Sequence, residues 1–227
     1  MPQPLAWSCR SQSGRSSVER SDANDIPERA LEVLEFWFKG REFDAPGLDA
    51  RMKLWFGSDE AFDAEIRARF SGDIEHAARG EYRDWNASPR GRLALILVLD
   101  QFPRNVARGT AGAFVHDGKA LALTLDGIRK GLDRGLPAVE RAFFYMPLQH
   151  SENLRVQALG VKAFNGLTER VDETLRETFQ TMAEFAELHH DIIERFGRFP
   201  HRNAVLGREP TPEEQAYLGD DAPSFGQ

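Results

Sequence analysis

Residues 93–108 read LALILVLDQFPRNVAR, and Leu93 to Leu99 is the most apolar run of the chain. A run this short fits a buried strand or a helix covered on all sides. Ser88-Pro89 just upstream offers an N-cap and a first-turn proline. Helical patterns follow, so the reading is a central helix with neighbours on every face. The apolar run gives way to Asp100, Gln101, Pro103, Arg104 and Asn105. A carboxylate at a helix C-terminus opposes the macrodipole unless a cation compensates, and Arg104 and Arg108 are close in sequence. Phe102-Pro103 is read as the exit from the helix. A near echo, RFGRFPHRN, spans Arg195 to Asn203. Both segments pass through Phe-Pro to Arg-Asn, which predicts two helix ends delivering polar groups to one place.

Outward from that run, amphipathic segments with start and stop signals follow one another. Asp25 with Glu28 can cap a helix over Ile26–Phe38, ended by Gly40. A loop to Gly47 and a short helix at Leu48–Trp55 come next. Ser58 or Asp59 opens a helix to about Arg79, whose stripe is Phe62, Ile66, Phe70, Ile74 and Ala77. Asp117–Lys130 is a further helix with Gly131 as its C-cap. Pro137–Met146 is a short one, and Pro147 starts or kinks a helix reaching about Leu167. In that helix His150, Asn153 and Gln157 share a stripe. Asp172 caps a long helix, Glu173–Phe196, which carries His189 inside its buried face and which Gly197 stops. Thr211-Pro212 with Glu214 starts a last short helix. Sustained strand alternation is missing throughout. The fold class is therefore all-α: antiparallel helix pairs in a compact array.

Composition narrows the class. At 227 residues the chain makes one domain or two small ones and can bury a substantial core, to which sixteen Phe and four Trp contribute. Residues 1–24, rich in Ser and Arg, read as a disordered leader; 25–219 read as a single helical domain and 220–227 as a flexible tail. A net charge of -7 argues against nucleic acid or an anionic membrane as partner. The apolar run is too short to span a bilayer. The N-terminus lacks the apolar core of a signal peptide, and the lone Cys9 cannot form an internal disulfide. A cytoplasmic protein is the expectation.

The strings LEFWF, LDQFPRN, FFYMPLQHSE and FGRFPHRNAVLGR, the last followed by TPEE, together resemble the bacterial family called domain of unknown function 924. The resemblance runs from about Ala30 to Leu218. It implies an all-helical, tetratricopeptide-like fold and brings no activity, substrate or cofactor.

Four chemistries compete for the polar residues. Arg104, Arg108, Arg198 and Arg202 can clamp a carboxylate or phosphate through planar, charge-assisted hydrogen bonds, with Asn105 and Asn203 orienting the ligand. This anionic small molecule or peptide terminus is the leading reading. The same residues can equally satisfy helix ends and pair with Asp100 or Glu152. In the enzymatic reading His150, His189 or His201 moves a proton for a hydrolase or transferase, with Asp100 or Glu152 orienting the imidazole. No nucleophile elbow, phosphate loop or dinucleotide fingerprint names a reaction, and no cofactor is called for. Metal sites are considered and set aside: Glu187 with His190 and Asp73 with His76 make an incomplete di-iron pattern, and His150 with Glu152 and a histidine of the long helix an incomplete zinc one. The last reading is a helical scaffold for a partner protein, with homodimerisation open. The sharpest expectation is that Arg104, Arg202, His150, Glu152 and His189 converge on one pocket.

Overall fold

The structure, a computed structural model, describes residues 26–219. Ten α-helices follow in order among them: α1 Glu28–Phe38, α2 Ala45–Phe56, α3 Glu60–Ala78, α4 Pro89–Ile96, α5 Phe102–Val106, α6 Asp117–Lys130, α7 Ala138–Gln149, α8 Leu154–Thr168, α9 Glu173–Phe196 and α10 Pro212–Tyr217. No strand occurs among the described residues. The expected leader and tail lie outside them.

Helix α4 is the axis of the bundle. It begins at Ser88, whose hydroxyl accepts from the Gly91 amide, and every residue from Gly91 to Leu99 is buried. Helices α1, α6 and α7 pack around it, α3 packs on α5, and α7, α8 and α9 pack in succession. The aromatics meet at one end. Trp37 lies 5.5–6.1 Å, centroid to centroid, from Trp55, Phe62, Phe102 and Phe143. Burying each such ring contributes about 1.5–3 kcal/mol by area alone, with edge-to-face geometry adding to it.

Three departures from the sequence reading position the site. First, Phe102-Pro103 does not end the central helix. Residues Leu97–Gln101 form one π-helical turn, the Phe102 amide bonds to Leu97 O, and the chain continues as α5 through Pro103. A proline inside an α-helix lacks its N–H and collides with the carbonyl four residues back. The wider π turn immediately before Pro103 accommodates both defects, and Asp100 is inside this turn rather than at a helix terminus. Second, α7 runs through Pro147 and stops at Gln149, with a new start at Asn153, whose side chain accepts from the Arg155 and Val156 amides. His150, Asn153 and Gln157 therefore share no stripe. His150 is at the corner, and Gln157 reaches back across it to Gln149 O and Ser151 O, at 2.7 Å each. Third, α1 starts at Glu28 after Pro27, with no side-chain cap, because proline keeps the preceding residue out of helical geometry. Asp25, the expected cap, lies outside the described residues. The α2 helix also starts earlier than Leu48, at Ala45, because Asp44 caps it and Pro46 suits its first turn.

The long helix has the expected bounds, with Gly197 in the left-handed region at φ 69°. Asp172 precedes it without making a cap hydrogen bond. At α10 the capping box is complete, Thr211 and Glu214 exchanging side-chain-to-backbone bonds.

Candidate functional site

The two Phe-Pro segments approach each other at the end of α9. Phe102 and Phe199 are fully buried wedges that hold them in the core. Each segment is then tied to a carboxylate on another helix. Asn105 donates to Asp63 at 2.7 Å, and Arg108 joins the same carboxylate through Nε at 3.1 Å. Asn203 donates to Glu214 at 3.2 Å, and Arg198 grips Glu214 at 2.6 and 2.7 Å. Glu214, which the sequence marked only as a cap, thus pins the loop after α9 to α10. Arg198 and Asn203 belong to that anchor and do not line the cavity described next.

A cavity of about 70 Å³ opens between the segments. Its polar wall consists of Arg104, Arg108, Arg202 and the three histidines His150, His189 and His201; Gln101 and Asn105 complete the floor, and Trp55, Phe56 and Phe114 form an aromatic side. Phe56 is 46% exposed, so that side reaches the surface.

Asp100 is beneath the cavity with no exposed surface. Its Oδ1 is 2.8 Å from His150 Nδ1 and 3.3 Å from an Arg104 nitrogen, while Gln101 donates to Oδ2 at 2.7 Å. Burial pushes this carboxyl up, but Arg104 and His150 outweigh it and hold it below the usual carboxylate range. The compensating cation that the sequence demanded is therefore present, together with an imidazole. Arg104 also makes a two-pronged pair with Asp117, at 2.9 Å on each oxygen. Despite its burial, these two carboxylates keep the guanidinium firmly charged. Asp117 is in the first turn of α6, where a carboxylate suits the helix dipole.

Arg202 is the less satisfied cation. Only 6% exposed, it is sandwiched between the Phe114 and Phe199 rings, its Cζ 4.4 Å from each centroid. It shares Asp117 at 3.4 Å and donates to His150 O at 3.1 Å. Among the described residues its buried Nε has no hydrogen-bond partner. Burial, and then Arg104, pull its pKa down to about 10, which still leaves it charged at neutral pH.

The histidines are held neutral. His189 donates Nδ1–H to Phe185 O at 2.6 Å, and burial drives its pKa down to about 3. His201 is lowered to about 3 as well, by burial and then by Arg202. Burial and Arg104 lower His150, with Asp100 opposing them. The His150 and His189 rings stand 6.5 Å apart, nearly edge to face.

Glu152 is next to this wall rather than in it. Arg208 takes both its oxygens, at 2.8 and 3.0 Å, and the Phe199 amide donates to it at 2.8 Å. The residues of the discarded metal patterns have other partners: Glu187 accepts from Asn165, and Asp73 from Arg29 and Tyr82. Among the described residues, His190, Asp191 and Glu194 bring three ligand atoms within 4.8 Å of one another, on the outer face of α9. Sequence reasoning missed Asp63, Asp117, Phe114, Trp55 and Phe56 as members of this neighbourhood. Only the acidic first turn of α6 hinted at one of them.

The fold and site define an all-helical bundle with a buried network of arginines, carboxylates and neutral histidines around a small cavity. Residues 33–222 match the bacterial proteins of unknown function grouped as domain of unknown function 924, and the chain belongs to that family. It is similar to the solved structure of a protein of unknown function from Agrobacterium tumefaciens, at 38% identity and a TM-score of 0.72, covering 85% of this chain and 97% of that one. No curated protein matches it. Among the described residues no helix is long and apolar enough to cross a membrane.

Proposed function

We propose that the cavity binds a small molecule through an anionic group, with Arg202 as the receiving charge and Arg104 beside it. One observation carries this reading. Arg202 is a buried cation on the cavity wall, cushioned by two rings and held, among the described residues, by a 3.4 Å share of Asp117 and the His150 carbonyl. A charge on the cavity wall whose ion pair is this long is open to a closer partner, and an incoming oxyanion supplies one through charge-assisted hydrogen bonds. Arg108 lines the same wall, and Trp55, Phe56 and Phe114 suit an apolar portion of the ligand. The helix succession α7, α8, α9 is read as part of a tetratricopeptide-like array, and the protein as cytoplasmic. The test is thermal melting of wild type and of Arg104→Ala and Arg202→Ala in a panel of carboxylates and phosphates. Wild type is stabilised by a subset of anions and the folded variants are not. A wild type that no anion stabilises overturns the reading.

A second reading is favoured by the Asp100–His150 pair. A buried carboxylate that orients an imidazole on a cavity wall is the arrangement of a general base. In that reading the arginines hold a substrate while His150 moves its proton. Turnover abolished in His150→Gln with binding retained selects it.

A further inference from the structure

The anion-binding reading can be sharpened, because the hydrogen-bond network dictates which histidine nitrogen carries the proton. Asp100 faces Arg104 and receives Gln101, so it is an ionised, acceptor-only partner. The hydrogen between Asp100 and His150 therefore belongs to His150 Nδ1, and, because burial and Arg104 keep the imidazole neutral, Nε2 carries a lone pair. His189 is set in the same tautomer, since Phe185 O accepts from its Nδ1. About 15% of the His150 side chain stays accessible, and the residue lines the cavity. The wall thus offers charged donors from Arg202 and a neutral acceptor from His150. Both residues line the same small cavity, and Arg202 also bonds to the backbone carbonyl of His150 at 3.1 Å.

In a cavity of about 70 Å³ a ligand matched to this wall carries an acceptor anion with a hydrogen-bond donor close beside it. We infer that it is a small 2-hydroxycarboxylate, its carboxylate on Arg202 and its hydroxyl donating to His150 Nε2. The inference rests on the anion-binding reading above. Four competitors fit less well. A simple carboxylate leaves the His150 lone pair without a donor. A phosphomonoester is largely dianionic at neutral pH, so its oxygens would oppose that lone pair. A metal ion would suit imidazoles oriented through Nδ1, but Arg104 and Arg202 put two positive charges on the same wall. A 2-amino acid would bring its ammonium against the same charges.

The test uses the full chain at about neutral pH, with calorimetry and thermal melting. The probes are lactate against propionate, glycolate against acetate, methyl phosphate, and Zn²⁺ alone. Each hydroxy acid is expected to bind about tenfold or more tighter than its deoxy partner, a modest demand for a site built to receive a hydroxyl. In His150→Phe the preference collapses to within about twofold while propionate affinity holds. Should that variant fail to fold, the paired comparison on wild type decides alone. Carboxylates that bind without regard to the hydroxyl overturn this inference and leave the anion-binding reading standing. Binding of no carboxylate at all overturns both. Methyl phosphate binding as tightly as lactate, or Zn²⁺ displacing lactate, also overturns the hydroxy-acid assignment.

Discussion

Acidification should unfold this protein through its buried neutral histidines, and His189 is the clearest case. Its folded pKa of about 3 is below the usual 6.5. Between those values the unfolded chain binds a proton that the folded chain refuses. Stability therefore falls as pH falls, and the contribution of His189 is intact only above about pH 6.5. At about pH 5, some 1.5 units below the unfolded value, the loss is about 2 kcal/mol at roughly 1.4 kcal/mol per unit. His201, with the same direction and a similar folded value, adds to this. Glu140 works in the opposite sense: burial raises its pKa, so its protonation favours the folded chain as pH falls. Asp100 and Glu152 are shifted down and lose their contribution only below the normal carboxylate range. A double difference isolates His189 from all of these. Urea unfolding is measured at about pH 7.5 and about pH 5, for wild type and His189→Gln. Glutamine does not titrate, so the variant should lose about 2 kcal/mol less between the two pH values than wild type does. A variant that loses as much as wild type refutes the argument, whatever its absolute stability.

Three further outcomes follow from packing and pairing. Gly127→Ala would place a Cβ 2.4 Å from Phe144 Cζ and 3.1 Å from Arg92 Cδ, so overpacking should exceed the gain in helix propensity and cost about 1–3 kcal/mol, read as a lower melting temperature. At Gly160, where the nearest atom would be Leu148 Cβ at 3.3 Å, alanine should be far milder. Glu152→Gln removes the two-pronged pair with Arg208 while keeping an acceptor for the Phe199 amide. The partly exposed pair is worth about 1 kcal/mol, and limited proteolysis should show faster cutting in the 198–208 loop; an unchanged digestion rate would remove Glu152 from the role of loop anchor.

Much of the architecture was legible in the chain because it depends on local periodicity. The covered helix at Leu93–Leu99, the long helix with Gly197 at its end and the capping box at Thr211 are all set by residues within a few positions of one another. The two prolines were misread for a physical reason. Pro103 and Pro147 signal breaks in an isolated helix, but buried helices tolerate the lost hydrogen bond when packing holds both sides in place. At Pro103 the tolerance takes the form of a π turn, which no local pattern announces.

For the site, the sequence by itself identified the residue types and two segments that repeat them. Asp100 in an apolar run and His189 in an apolar stripe were conspicuous because a polar group in such surroundings needs a partner. Which partner it finds is a matter of long-range packing. Asp100 meets His150 fifty positions away, and Arg104 and Arg202, on opposite sides of the chain, share Asp117. The same packing sends Arg198 and Asn203 to Glu214 and leaves Arg202 on the cavity wall. Local spacing cannot separate these outcomes, since the competing carboxylates lie on helices whose approach depends on the whole core. Only the tertiary structure decided which of the chemically similar arginines became an anchor and which stayed on the cavity wall.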